Sequence, residues 1–515
     1  MEGVTIRRRI PRKDRFPKRC VANPGGLPGF GAIVSHSNTV GNMTWALRER
    51  VLGSVIDGAW VETHKPAKGG FATGGMHRIR ERIQKLVGDA TPITHSEYCA
   101  KYAGLRRATY ENARKSLLQR PLTRQDAFLN CFLKAEKWTD VKAPRVISPR
   151  SARFLLSMGV YISPLEHVLY RAFKRLQGSP VIMKGLDQEA RAAVARNHWA
   201  KFAQPVAIGL DASKFDQHTS VQALQFEHGF YLGPYRNDVQ LAKMCSWQLK
   251  NHCFAELDDG KVSWVTKGGR MSGDVNTALG NCVLSATMLM AYAKERCVRI
   301  ELMVDGDDCL AFMESRDKQR FMDGLAEWYL GRGYRMKVEG PYRELHELEF
   351  CQSRWMNLNG TPLFVRNPFK AINQDHTWVA VGGITHEEVL VATGLGGLSI
   401  YGDVPVLGAY YRMLAGVRQL SSRVIKRLDM RSSWLRLAKT DGGKVYQAPT
   451  EDARVEFYRT FGLHPSEQIA LERFYLSSAV QSTLPGDPNQ IISTQQAILN
   501  HKCSILQHIQ SPSPV

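Results

Sequence analysis

The sequence has little that would cross-link or anchor it. Its ten cysteines are scattered from Cys20 to Cys503 and none forms a CxxC pair, so neither a zinc site nor a disulfide framework is indicated. His252-Cys253 has no second pair to complete a ligand set, and reduced thiols in a cytosolic setting are the simplest account. Long apolar runs are missing too. The best candidate, Ala278–Ala293, is interrupted by Asn281, Ser285 and Thr287 and is short for a bilayer span. The N-terminus is basic with no apolar stretch behind it, so no signal peptide is expected. No internal repeat is evident. Acids are scarce relative to bases: 48 Asp and Glu against 69 Lys and Arg leave a net charge of +21. That excess points to a polyanionic partner, either nucleic acid or an anionic membrane surface.

At 515 residues, 43% of them hydrophobic, the chain exceeds one simple core and predicts two to four subdomains. Residues 1–20 carry eight Lys and Arg against Glu2 and Asp14, which reads as a solvated basic arm able to track phosphates. Pro24–Gly31 reads as a loop. Tyr98, Tyr102, Leu105, Tyr110, Leu117 and Leu118 recur at helical spacing, and Arg120-Pro121 ends that pattern. Gly394-Leu-Gly396-Gly397 lacks the spacing and the preceding strand of a dinucleotide fingerprint and reads as a plain loop. Trp378 to Phe474 reads mostly helical, and the end of the chain, rich in Gln, Ser and Pro, as loosely held.

Chemistry concentrates in four places. Ile300–Met313 sets two apolar segments around Asp305-Gly306-Asp307-Asp308, the pattern of a tight hairpin with Asp307 and Asp308 at its tip. Crowded carboxylates there cost stability unless a cation neutralises them, and Mg²⁺ suits hard oxygen ligands shared with phosphates. A lone Gly-Asp-Asp arises by chance in roughly one chain in ten of this length, so company is required. Pro205–Asp211 is an apolar run ending in a carboxylate, a buried strand delivering Asp211, with Asp216 five residues on. Ser272, Gly273, Thr277 and Asn281 open a helix, where an N-cap explains Ser272 but not the whole polar set. Lys134, Glu136, Lys142 and Arg145 alternate through short strand-like pieces, suited to a phosphate channel or to a charged edge strand.

Taken in chain order, from the basic cluster at Lys134–Arg145 through Asp211–Asp216 and Ser272–Asn281 to the hairpin, the elements resemble motifs of viral RNA-dependent RNA polymerases. Asp211 to Asp216 looks like motif A, Ser272, Gly273, Thr277 and Asn281 match motif B at every spacing, and Gly306-Asp307-Asp308 looks like motif C. Lys134, Glu136, Lys142 and Arg145 look like motif F along the nucleotide path. Lys337 resembles the motif D lysine, and Phe350–Ser353 the motif E turn. The wording of SGDVNTALGN and KAEK…APRVI is most like the tombusvirus family, with luteovirus and umbravirus polymerases similar. The motifs span roughly residues 130–355.

The resemblance implies an α+β right hand of fingers, palm and thumb with an antiparallel palm sheet. The expected division is a basic arm at 1–20, fingers at 21–204, a palm at 205–355 with an interleaved fingers segment at about 217–265, a thumb at 356–480 and a tail at 481–515. It implies RNA-directed RNA synthesis from rNTPs by a two-metal mechanism on a positive-strand viral genome. Asp211, Asp307 and Asp308 would be catalytic carboxylates holding Mg²⁺, or Mn²⁺ in its place, with Lys337 as proton donor. Asp216, Ser272 and Asn281 would read the ribose, with Gly273 and Thr277 beside them, and Lys134, Lys142 and Arg145 would hold phosphates. Expected partners are single-stranded RNA template and product, a viral membrane-anchored replication protein and host factors, at membrane-associated replication complexes in the host cytoplasm. Two rivals stand beside this reading: a retroelement reverse transcriptase, disfavoured by Asp216 and Asn281, and a non-catalytic RNA-binding scaffold, disfavoured by the three aspartates.

Overall fold

The computed structural model describes residues 3–9, 20–22, 35–72, 74–138, 140–380, 386–416 and 445–480. Helices and strands are both plentiful and the sheets are mostly antiparallel, giving an α+β protein. Two compact units form: one holds 36–135 and 142–351 with the N-terminal strand, the other holds 136–141 and the chain from Gln352 onward.

The first unit is built on a four-stranded antiparallel sheet, in the order Glu301–Asp305, Asp308–Glu314, Pro205–Ala212, Met336–Tyr342. The first three strands of this order are nearly continuous Val, Ile, Leu, Ala and Met, and their interior residues are buried. Met336–Tyr342, at the edge, is charged and half-exposed, as an unpaired edge requires. Gly306-Asp307 closes the first hairpin, with Asp305 opposite Asp308. Gly306 has φ +80°, the left-handed backbone that a two-residue hairpin turn demands of its first position. The tip therefore carries Asp307 alone, and Asp308 is the first residue of the returning strand.

The helix Thr277–Glu295 packs into the same core with Ala152–Gln177, Gly74–Val87 and Val221–Leu232. Fourteen of the 19 residues of Thr277–Glu295 are buried, so it is apolar all round because protein surrounds it. No described helix is long and apolar enough to cross a membrane. The residue capping it is Asn276, not Ser272. The periodic stretch at 95–120 forms two helices, His95–Ala100 and Gly104–Gln119. Tyr98 lies so close to Ala152–Gln177 that a Cβ on Gly159 would meet its ring at 2.4 Å.

A second sheet of five strands runs Val4–Arg8, Gly260–Lys267, Lys250–Leu257, Leu129–Leu133, Val146–Ile147. Its first strand corrects the expectation of a free basic arm. Val4–Arg8 pairs in register with Trp264–Gly260, which satisfies the backbone of both edges while its arginines stay exposed. The rest of the arm, residues 10–19, lies outside the described residues, as does the expected tail at 481–515.

In the second unit the hairpin Ser353–Leu358/Thr361–Arg366 packs with Leu407–Ala415, Glu451–Phe461 and Pro465–Val480 around Met356, Tyr410, Tyr411, Phe457 and Tyr475. Gly394-Leu-Gly396-Gly397 is helical, inside His386–Tyr401, rather than a loop. A Cβ on Gly394 would fall 2.3 Å from the Ala415 nitrogen, and one on Gly397 would meet the Tyr411 ring at 2.2 Å. These glycines let two helices approach closely.

Candidate active site

Antiparallel pairing brings together carboxylates about a hundred residues apart in sequence. Asp211 ends the apolar strand Pro205–Ala212 directly opposite Asp308 on one side and Lys337 on the other. Asp307 projects from the neighbouring turn and, with Asp211, Asp216, Lys134, Arg145 and Ser272, lines one cavity of about 620 Å³. Five cations line it, Arg50, Lys134, Arg145, Lys214 and Arg270, against three acids.

The acids differ in how they are compensated. Asp305, only two residues before Asp307, is buried and ion-paired to Lys184 and, at 2.6 Å, to Arg191. Asp211, Asp307 and Asp308 have no ion pair among the described residues. Burial raises all three carboxyls, and mutual repulsion adds to it: Asp307 acts on Asp211, Asp216 on Asp307, and Asp307 with Asp211 on Asp308, which is pushed up to about 6. Among the described residues no group of three or more acid, His or Cys side chains encloses a metal by itself. The aspartates offer an open, partial oxygen set of the kind Mg²⁺ completes with water and substrate phosphates. That chemistry fits a divalent cation.

Asp216 sits in the short helix Phe215–His218, and Asn281 Nδ2 donates to its Oδ1 at 2.9 Å. Burial raises the Asp216 carboxyl, while that hydrogen bond, Arg270 and Arg145 oppose the rise. Ser272 does not join them. Its hydroxyl donates to the Val146 carbonyl at 3.2 Å and accepts from Ser148 N at 3.3 Å, tying its loop to the strand after Arg145. Gly273 is needed for a close approach: a Cβ there would lie 2.5 Å from Pro149 Cα. The Thr277 hydroxyl donates to Met271 O at 2.7 Å and so closes the loop before its helix.

Lys134 and Arg145 are joined by their backbones, Lys134 N donating to Arg145 O at 2.8 Å, which sets both beside the cavity. Lys142 is exposed and is not among the lining residues, and Glu136 belongs to the stretch grouped with the second unit. Lys337 is exposed on the edge strand, and its ammonium donates to Glu339 at 2.6 Å. That bond raises its pKa.

Sequence reasoning missed Arg50, Lys214 and Arg270. Lys214 Nζ donates to Glu49 O at 2.6 Å and Ser54 Oγ at 2.9 Å, and Arg50 Nε to Ala143 O at 2.8 Å. Lys214 was findable from its place between Asp211 and Asp216. Arg50 had no local signal, because its partner is 93 residues away.

A family model described as viral RNA dependent RNA polymerase matches residues 12–483. The chain is 36% identical over 479 residues to the RNA-directed RNA polymerase of Pothos latent virus (isolate Pigeonpea/India), covering 92% of this chain and 63% of the relative. It is 34% identical over 491 residues to that of Tobacco necrosis virus (strain A), covering 94% and 67%. For that of Turnip crinkle virus the identity is 37% over 453 residues, covering 85% and 57%. The chain thus spans about two thirds or less of the length of these relatives. With nearly its whole length matched by one family model, the chain belongs to the viral RNA-dependent RNA polymerase family.

Proposed function

We propose that the chain is an RNA-directed RNA polymerase that replicates a positive-strand viral RNA genome, with the four-stranded sheet as palm, the five-stranded sheet and N-terminal helices as fingers, and the helical C-terminal unit as thumb. One observation carries the reading. Among the described residues, Asp305 is neutralised by cations while Asp211, Asp307 and Asp308 are crowded together without an ion pair. Carboxylates kept in that state are suited to divalent cations brought with a substrate. Asp211 and Asp307 would hold two Mg²⁺ (or Mn²⁺), with Asp308 supporting them. When bound, such cations neutralise charge and activate an attacking hydroxyl.

The chain's own residues supply the rest. Lys134, Arg145, Arg50 and Lys214 hold the triphosphate and offset charge that builds on it during transfer, with Lys142 drawing phosphate from the solvent side. Asp216 and Asn281 face the sugar: their mutual bond leaves one carboxylate oxygen and one amide proton for a ribose 2′-hydroxyl. A deoxyribose would leave both unpaired in a partly buried place. Lys337, kept protonated by Glu339, delivers a proton to the departing pyrophosphate once it leaves that carboxylate. Gly273, Thr277 and Ser272 act by shaping the loop under the nucleotide. The RNA-directed RNA polymerase names of the relatives favour this reading over a reverse transcriptase or a scaffold. Recruitment to membrane-associated replication complexes falls to a membrane-anchored viral replication protein, alongside host factors.

The test is nucleotide incorporation by purified protein on an unprimed single-stranded RNA with Mg²⁺. Asp307→Ala and Asp211→Ala should each abolish synthesis while single-stranded RNA binding persists. Undiminished synthesis by either variant would remove the metal assignment.

A further inference from the structure

Beside the sugar-facing pair lies a buried ion pair whose two side chains bond to each other and not to a cavity acid. Arg270 and Glu227 have side chains only 1% and 0% exposed. The guanidinium grips the carboxylate with two nitrogens, Nη1 to Oε1 at 3.0 Å and Nη2 to Oε2. Glu227 also accepts from the Tyr231 hydroxyl at 2.6 Å and from Asn276 Nδ2 at 3.0 Å. The third guanidinium nitrogen, Nε, is thereby aimed elsewhere, and it donates to Asn281 Oδ1 at 2.9 Å.

That bond has a specific consequence. An asparagine amide presents an acceptor on one side and donors on the other, and a half-turn exchanges them. With Arg270 occupying the oxygen side, only the nitrogen side can face Asp216. Arg270 also holds Asp216 from its main chain, its N–H donating to Asp216 O at 2.7 Å. One residue thus fixes both members of the pair. The helix makes room for it: a Cβ on Gly280 would lie 2.3 Å from Glu227 Oε1 and 2.5 Å from Arg270 Nη2.

We infer that Arg270 and Glu227 are positioning residues for sugar selection: they lock the Asn281 amide in the one orientation that lets it and Asp216 discriminate ribose from deoxyribose. This rests on the reading of Asp216 and Asn281 as the sugar-facing pair. An ion pair serving the core alone would, when perturbed, lower activity on both nucleotides alike. A pair serving orientation changes their ratio.

The experiment measures kcat/KM for one rNTP and its dNTP with the full chain, for the parent, Asp216→Ala, Arg270→Lys and Gly280→Ala. Arg270→Lys keeps the charge but cannot serve Glu227 in a bidentate grip and Asn281 together. Gly280→Ala changes no charge, suits a helix, and displaces the pair by its methyl, so it reports even where the lysine variant does not fold. Both are expected to lower the rNTP-to-dNTP ratio by about five- to tenfold, the effect of one lost buried hydrogen bond. If Asp216→Ala lowers the ratio while Arg270→Lys and Gly280→Ala reduce both substrates equally, the positioning role is overturned and the sugar reading survives. If Asp216→Ala itself leaves the ratio unchanged, the sugar reading fails and the inference falls with it.

Discussion

At the scale of single residues, neighbouring acids of one type have opposite fates. Asp305 and Asp308 are directly opposed across the hairpin, yet Asp305 has two cationic partners and Asp308 has none among the described residues. The uncompensated residue carries the stability cost of the site. With its carboxyl raised to about 6 from an ordinary value near 4, Asp308 holds its proton longer in the folded protein than in the unfolded chain. In the metal-free protein its stabilising contribution is therefore complete below about pH 4 and is lost as pH rises through about 6. Asp308→Asn should then be more stable than the parent at pH 7 without divalent cations, by about 1–3 kcal/mol, and equal to it near pH 4. Urea unfolding in chelator at the two pH values checks this. An asparagine variant no more stable at pH 7 would show that Asp308 is already compensated by the protein. Asp211, Asp216, Asp307 and Asn281 stand out as candidates because each is polar at a fixed offset from an apolar strand or helix, while their grouping into one site comes from the resemblance to polymerase motifs. The partner of Ser272 does not stand out, since a hydroxyl bonds whichever backbone group the fold presents, and here that is Val146.

Among the elements, pattern and environment separate. The strand Pro205–Ala212 and the hairpin Glu301–Glu314 were readable as apolar runs punctuated by Asp and Gly. The helix Thr277–Glu295 was readable as well, from its polar start and apolar face. The glycine-rich stretch at 394–397 misled, because glycine in a loop and glycine in a helix crossing have the same local signature. Only the facing helix distinguishes them. Gly394→Ala is expected to destabilise the second unit by about 1–3 kcal/mol, as overpacking does, despite alanine's better helix propensity. Denaturant unfolding of the full chain measures it, and a stabilised variant would mean the two helices have slack. The strand Val4–Arg8 was hidden for the converse reason: its arginines suggest solvation, while its backbone completes an open sheet edge.

For the whole molecule, charge is the dominant property. A net charge of +21 and a cavity walled by five cations predict that affinity for single-stranded RNA falls steeply with salt, because binding releases counterions. A filter-binding or anisotropy titration between about 50 and 200 mM salt should show a loss of tenfold or more if several phosphates are contacted. Affinity independent of salt would point to a surface other than the cationic one. Arg50→Ala should weaken that dependence as well as raise KM for nucleotide, since Arg50 lines the cavity. The sequence by itself determined the reactive inventory: which acids lie at strand ends, which small residues open the buried helix, and in what order they occur, since these follow from local periodicity and turn chemistry. Tertiary structure alone decided which acids remain uncompensated, which arginine holds Asn281 and which glycines sit at helix crossings. Those outcomes depend on partners from 11 to 121 residues away, brought within hydrogen-bonding or packing distance only when the sheets and helices of each unit close around its core.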